Sequence, residues 1–561
     1  MEKGKRLMAM LMILCLLISC LAGCGAGGDG QDAASADNSV AEDASEGYLA
    51  SGEGETFVYG MGSSWDTLFP YGGTAEDYGK TTWGIMYSKL VYVDGNDNFV
   101  DSGIVYGESS VSEDGMSITF QCNPDLTWSD GEPVTAEDWV YTFETITDPS
   151  LVCTRKNYFN IFAGVDESGN LEEGCTISDV ITADGDTFTV YLDDATNLDS
   201  FLYAYNDYFY LMPKHCLEDT AAAEVPDSDF WEAPVTSGPW VLEEEIEGSQ
   251  ITFCRNAYFP YWDSYSNISN FVLRVVGTDV MVEGIAAGEL HNVMSTMSAG
   301  DCAEAVEIDG VSGETLEEPT SIVIMAINLQ KLTDSRVRRA LDYALNREYL
   351  CEEVMGGQAI PVNTFERSKY LNPDIVTEYS LDKAKELLDE AAADGTFDYS
   401  TPLTIGVVTG FREQIASVLK EDLASIGVTL DIVTGDGTTI LGQMQESGAY
   451  DLCLVGGGLG ADATWPQNDY FNPAVSNYGQ LDDSKYYDLC MAINAETDED
   501  TRMEMIYELQ EMVYEEAPYV FVFNMVAWRL YSSYLVFEND DTSQAFSNTS
   551  VSMPWNIRIE Y

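Results

Sequence analysis

Leu126-Thr127-Trp128-Ser129-Asp130-Gly131-Glu132-Pro133-Val134-Thr135-Ala136-Glu137-Asp138-Trp139 reads as a turn followed by the start of a helix. Asp130-Gly131 suits a tight turn, because Asp hydrogen-bonds its own backbone and Gly enters backbone conformations that other residues avoid. Thr135 ahead of Ala-Glu-Asp suits an N-cap, and acids are welcome in the first turn that follows. Apolar spacing continues the helix from Ala136 to Ile146. The stretch is architectural and supplies nothing for a ligand.

On either side of it, strands and helices interleave. Ile118–Gln121 and Thr187–Tyr191 alternate as strands do, whereas Asp334–Val354 and Leu381–Ala393 have helical spacing opened by polar caps. Leu403–Val408, Arg412–Ile426 and Val428–Val433 follow the strand-helix-strand rhythm of a parallel α/β unit. Asp94-Gly95-Asn96-Asp97-Asn98 is expected to be a hairpin turn, since it lacks the twelve-residue loop and terminal Glu of an EF-hand. No internal repeat of fixed period appears.

The N-terminus carries Lys3, Lys5 and Arg6, an apolar run from Leu7 to Leu21, and then Leu21-Ala22-Gly23-Cys24. That is the layout of a secretory signal, too short for a span that needs about 20 apolar residues. Its end resembles the bacterial lipobox, which makes Cys24 the expected lipidation site; an ordinary secreted chain with a chance cysteine is the alternative. Residues 24–54 are mostly Gly, Ala, Ser, Asp and Glu, too poor in apolar surface to fold, and are expected to tether the body to the membrane.

At 561 residues the chain exceeds a single core, and two or three domains are expected. The formal charge of -71 disfavours nucleic acid and anionic lipid headgroups as partners. Of 12 cysteines, three belong to the signal and its cleavage site; the rest are odd in number and lack Cys-x-x-Cys spacing, which argues against a disulfide framework and against structural zinc. The 2 histidines, His215 and His291, have no metal-site spacing, so no metal and no cofactor is expected. Nucleophile elbow, phosphate loop and dinucleotide fingerprint are all missing, and no catalytic residue is nominated.

The 126–139 stretch resembles the signature of bacterial extracellular solute-binding proteins of family five, the oligopeptide, dipeptide and nickel-binding class of ABC importers. Other segments agree in order: Trp65-Asp66-Thr67-Leu68-Phe69-Pro70, Met212-Pro213-Lys214-His215, Ser237-Gly238-Pro239-Trp240, Arg255-Asn256-Ala257-Tyr258, Ala286-Ala287-Gly288-Glu289-Leu290 with His291 where Asp is usual, and Asn328 followed by Asp334–Ala344. The resemblance implies an α/β, two-lobed periplasmic-binding-protein-like (type II) fold with an extra inserted domain and a two-strand hinge. Lobe one would comprise 55–80, 231–322 and 520–561, the inserted domain 81–230, and lobe two 323–519. The hinge would use Ile322–Ile327 and Tyr519–Phe523, which read equally well as buried strands.

In peptide-binding relatives, a strand is followed by a Gly-Trp pair and an Asp three residues after the Trp that holds the peptide amine. Gly458 and Asp462 match, Leu459 stands at the Trp position, and Trp465 offers a substitute aromatic wall. Asp462 is either that amine partner or the cap of a turn. Phe69 and Tyr71, in Phe69-Pro70-Tyr71-Gly72-Gly73, are the expected first-lobe contacts, as an added-strand edge or as a plain turn.

The resemblance thus implies a monomeric receptor, lipid-anchored at the cell surface or periplasmic, that captures a peptide and delivers it to ABC permease and ATPase subunits. A sugar or nickel-type chelate receptor on the same fold, a surface sensor or adhesin without import, and an extracellular hydrolase are the alternatives.

Overall fold

The computed structural model describes residues 48–73, 76–100, 103–105, 109–206, 208–262, 264–294, 297–463, 470–472, 477–547 and 550–561. The expected signal, Cys24, most of the tether and Trp465 lie outside them. Among the described residues no helix is long and apolar enough to cross a membrane.

Two large sheets organise the chain. The first runs in the order Val311–Thr315, Trp528–Ser532, Asn292–Val293, Glu55–Met61, Ile268–Val275, Gln250–Arg255, Trp240–Ile246, and so gathers three distant pieces of sequence. Glu55–Met61 lies parallel to Ile268–Val275, with Phe57 opposite Phe271 and their rings stacked at 5.1 Å. The second sheet runs Ala359–Pro361, Tyr519–Met525, Ser321–Ile327, Leu452–Gly458, Leu403–Val408, Leu430–Gly435. Its central strands are covered on both faces, which is why Ile322–Ile327 and Tyr519–Phe523 are apolar without a break. Along Ser321–Ile327, Val323, Met325 and Ile327 enter one core while Ile322, Ile324 and Ala326 enter another, the two-residue alternation of a strand.

The expected strand-helix-strand unit is present as Leu403–Val408, Phe411–Ser425 and Leu430–Gly435, with the strands parallel. Leu381–Ala393 is a helix as read, capped by Ser380. The single helix expected over Asp334–Val354 is instead broken: it stops at Tyr343 and restarts at Arg347, because the Asn346 side chain accepts from Tyr349 N and starts a new turn.

A third sheet, antiparallel, orders Ser110–Val111, Ser117–Gln121, Thr187–Tyr191 and Ile181–Asp184 within the inserted region. The helix Ala136–Thr147 packs on it, with Trp139 stacked on Phe188 at 4.7 Å. Asp94–Asn98 is a hairpin turn between Tyr92–Val93 and Phe99–Val100, closed by Asp94 Oδ1 accepting from Asn96 N and Asn98 N.

The expected lobe boundaries fall inside regular elements. Residues 322/323 and 519/520 fall within Ser321–Ile327 and Tyr519–Met525, which pair with each other and lie wholly in the second sheet. The chain passes from the first sheet to the second at 316–320 and back at 526–527, where Leu316 N donates to Ala527 O at 2.9 Å. The 80/81 boundary likewise falls inside the helix Glu76–Met86.

The opening motif turns out to be a hub. Gly131 takes φ +93°, where a side chain would be strained, and Thr135 is held by Asp138 Oδ2. Asp138 Oδ1 accepts from Lys214 N (2.9 Å), His215 Nε2 meets Asp130 Oδ2 (2.8 Å), Ser129 N donates to Thr236 O (2.9 Å), and Thr127 Oγ1 donates to Tyr258 O (3.1 Å). Three motifs that look separate in the sequence are thereby tied to this one.

Candidate functional site

Leu452–Gly458 enters the second sheet between Ser321–Ile327 and Leu403–Val408. Its pairing with Leu403–Val408 stops at Leu454, while its other edge stays paired to Gly458. The Leu403–Val408 side of 455–458 is therefore an unpaired strand edge. It borders a cavity of about 640 Å³, lined by Val408, Phe411, Arg412, Leu441, Gly456, Gly457, Gly458 and Met525 among others.

The three glycines have separate reasons. A Cβ on Gly456 would lie 2.6 Å from Arg412 Nη2, and one on Gly457 would lie 2.5 Å from the Tyr470 hydroxyl, which donates to Gly456 O at 2.6 Å. A Cβ on Gly458 would meet nothing, so this residue leaves the wall open. Arg412 lies over the Phe411 ring, and burial lowers its pKa.

Asp462 follows directly, almost fully buried. Oδ1 accepts from Tyr370 OH (2.7 Å), and Oδ2 accepts from Arg502 Nη2 (2.7 Å) and Ser200 Oγ (2.8 Å). Burial pulls the Asp462 pKa up, but the Arg502 charge and these hydrogen bonds outweigh it and hold the carboxyl below its ordinary value. Tyr370 and Arg502 lie in the stretch of chain that builds the second sheet and Ser200 in the stretch that builds the third, so this carboxylate ties the two together. An ammonium reaching it has to displace Arg502. Glu366, buried nearby, has its pKa pushed up to about 8, first by burial and then by the Asp462 charge.

More polar contacts tie the same two regions together. Asn197 N and Nδ2 donate to Asn494 O (2.7 and 2.8 Å), and Arg367 pairs with Asp97 while donating to Leu459 O (3.0 Å). A second cavity, about 580 Å³, lies at this junction, lined by Asp97, Asp199, Tyr203, Glu318, Arg367, Lys369 and Ala461 among others. Arg367, Tyr370 and Arg502 were not readable as site residues, because each acts on a partner far away in sequence.

The other nominated residues fall as follows. Phe69 and Tyr71 are buried in the first-lobe core; Gly72 N donates to Phe69 O (3.1 Å), so the segment is a turn and not an edge strand. Pro70 fixes the turn, and the Tyr71 hydroxyl both donates to Tyr210 O (2.7 Å) and accepts from Tyr210 N (2.8 Å). Leu459 is buried in the second lobe. His291 is a core histidine, its Nδ1 accepting from Val58 N at 2.9 Å. Among the described residues one set of potential metal ligands comes together, the exposed Asp130, His215 and Cys216, within 4.8 Å of one another. There the His215–Asp130 bond belongs to the motif hub, and burial, then Asp130 and Asp138, push the Cys216 thiol up to about 11. None of the nine cysteines among the described residues is joined to another by a disulfide.

Comparison with known proteins places this geometry. Residues 98–481 match the sequence profile of bacterial extracellular solute-binding proteins, family 5 Middle. The periplasmic oligopeptide-binding protein OppA of Salmonella typhimurium is 24% identical over 60% of this chain and 63% of its own length, under two thirds of that relative. The oligopeptide-binding protein AppA of Bacillus subtilis is 23% identical over 93% of this chain and 94% of its own. Among solved structures, the ABC transporter substrate binding protein CtaP of Listeria monocytogenes superposes with a TM-score of 0.73 at 21% identity, covering 91% of this chain and 100% of that one.

Proposed function

Because the chain belongs to the bacterial extracellular solute-binding proteins of family 5, we propose that it is the substrate-binding component of an ABC importer, capturing a peptide between two lobes and delivering it to a membrane permease and its ATPase. The observation that carries this reading is the strand edge at 455–458, which has no partner strand past Leu454, keeps only Gly456 O occupied by the Tyr470 hydroxyl, and faces a cavity of about 640 Å³. An extended peptide pairs with such an edge through its main chain, which gives affinity without demanding particular side chains. The volume lies within the roughly 300–1,000 Å³ of small-molecule sites. The names of the OppA and AppA relatives support a peptide as the solute.

Capture proceeds by closure. The contacts Asn197–Asn494, Ser200–Asp462 and Arg367–Asp97 join the inserted domain to the second lobe, while the two crossing segments act as the hinge. A ligand favours closure only as far as it binds the closed state better than the open one. Cys24 anchors the chain to the outer face of the membrane through lipid, residues 24–54 serve as tether, and the protein acts as a monomer without catalysis. Within the cleft, Gly456, Gly457 and Gly458 form the wall.

Mass spectrometry under native and then denaturing conditions, on the chain from Glu55 onward, tests the reading. Release of a family of short peptides supports it; a sugar or a metal chelate overturns the peptide assignment and leaves a receptor of the same fold. For the anchor, a Cys24→Ser chain is expected in the medium or periplasm rather than in the membrane fraction.

A further inference from the structure

We propose that the ligand is anchored by a carboxylate on Arg412 and not by an amine on Asp462. Arg412 stands at the start of the helix Phe411–Ser425 and lines the cavity beside the open strand edge. Its Nε is buried with no hydrogen-bond partner, and among the described residues no carboxylate pairs with its guanidinium. The groups that act on its charge are the Cys453 thiol and the Tyr470 hydroxyl. Arg347, Arg367 and Arg502 each have an acid partner, and Arg338 is bonded to backbone carbonyls. Arg155 is also without an acid among the described residues, but of these arginines Arg412 is the one that lines this cavity. A desolvated cation facing a cavity is a cost to the empty protein that an incoming anion removes, and the planar fork of Arg fits a carboxylate through two parallel bonds.

Asp462 shows the opposite condition. Both of its oxygens are taken, by Tyr370, Ser200 and Arg502, and its charge is already matched. The cleft therefore presents an unpaired cation and a satisfied anion, which selects for the acidic end of a ligand.

The inference rests on the peptide reading, and one experiment separates the two. A synthetic library of tri- to hexapeptides is supplied as free acids, C-terminal amides and N-acetylated acids, and the protein-bound fraction is read by mass spectrometry for wild type, Arg412→Met and Arg412→Lys. Wild type is expected to retain free and N-acetylated acids alike. Arg412→Met should retain them at least about tenfold less, and Arg412→Lys should fall between. Retention of amides without acidic side chains as strong as that of the acids, dependence on a free amine, or undiminished retention by Arg412→Met each overturns the inference while the peptide receptor stands. If wild type retains no peptide, the peptide reading falls. The same proteins are then offered a mixture of small mono- and dicarboxylates: retention lost in Arg412→Met upholds the arginine site, and no retention overturns it. Should Arg412→Met fail to fold, Arg412→Lys decides, since it keeps the charge and loses the fork.

Discussion

Replacing Glu366 by Gln should change how stability responds to pH. The Glu366 carboxyl is buried; burial and then the Asp462 charge push its pKa up to about 8 from an ordinary 4.5, with Arg502 offsetting part. Its Oε1 has no hydrogen-bond partner, as suits a neutral acid. A raised folded pKa means that the stabilisation is complete below the unfolded value and is lost as pH rises through the folded one. The window here runs from 4.5 to about 8. Integrated from pH 5 to pH 7, the loss is roughly 2–3 kcal/mol. His291 acts in the opposite sense. Burial, then Arg274, lowers its pKa to about 4 from 6.5, so its contribution is present above 6.5 and lost as pH falls toward 4. Over the same interval it gains about 2 kcal/mol. The two slopes nearly cancel in wild type. Glu366→Gln removes one of them, so its stability relative to wild type should rise by roughly 2–3 kcal/mol between pH 5 and pH 7. Urea unfolding extrapolated to water at both pH values measures this. An equal difference at the two pH values would mean that Glu366 is ionised in the fold, and would refute the reasoning.

Other outcomes follow from the same geometry. Asp462→Ala leaves Arg502 unpaired in a buried place and should cost about 3–5 kcal/mol in urea unfolding, and the double change Asp462→Ala with Arg502→Leu should cost less than Asp462→Ala alone. Arg367→Ala removes the bond to Asp97 and one to Leu459 O, weakening the closed state by roughly 1.5–3 kcal/mol; small-angle scattering of the ligand-free protein should show a larger radius of gyration. Gly457→Ala sets a Cβ against the Tyr470 hydroxyl and should free Gly456 O. Retention of co-purifying ligand should drop with little change in unfolding temperature, and a ligand load equal to wild type would count against the strand edge as the binding wall.

Local elements were legible in the sequence wherever the cause was local. Leu381–Ala393 announces itself by a Ser cap and helical spacing, and Leu403–Val408 and Leu430–Gly435 by apolar runs around a helix of matching length. The break after Tyr343 was hidden because the spacing continues across it, while the deciding event, Asn346 turning its side chain onto Tyr349 N, is a competition that periodicity does not record. The glycine run at 456–458 could be located, but the reasons for it, Arg412 and Tyr470, come from other elements. The use of Asp462 was least legible of all: Arg502 is 40 residues away and Ser200 is 262, and nothing in a local pattern reports which cation reaches a buried acid.

The hub at 126–139 also constrains the order in which the chain can be completed. Its anchors at Lys214, Thr236 and Tyr258 arrive long after it has been synthesised. The helix Ala136–Thr147 can form early, but the turn before it gains its last partners only once Tyr258 is available, so a large loop must close at that step. A fragment ending near residue 230 would carry the insert's sheet yet lack the partners of Ser129 and Thr127. The turn is thus fastened late, and that step is where a slow phase in refolding is expected.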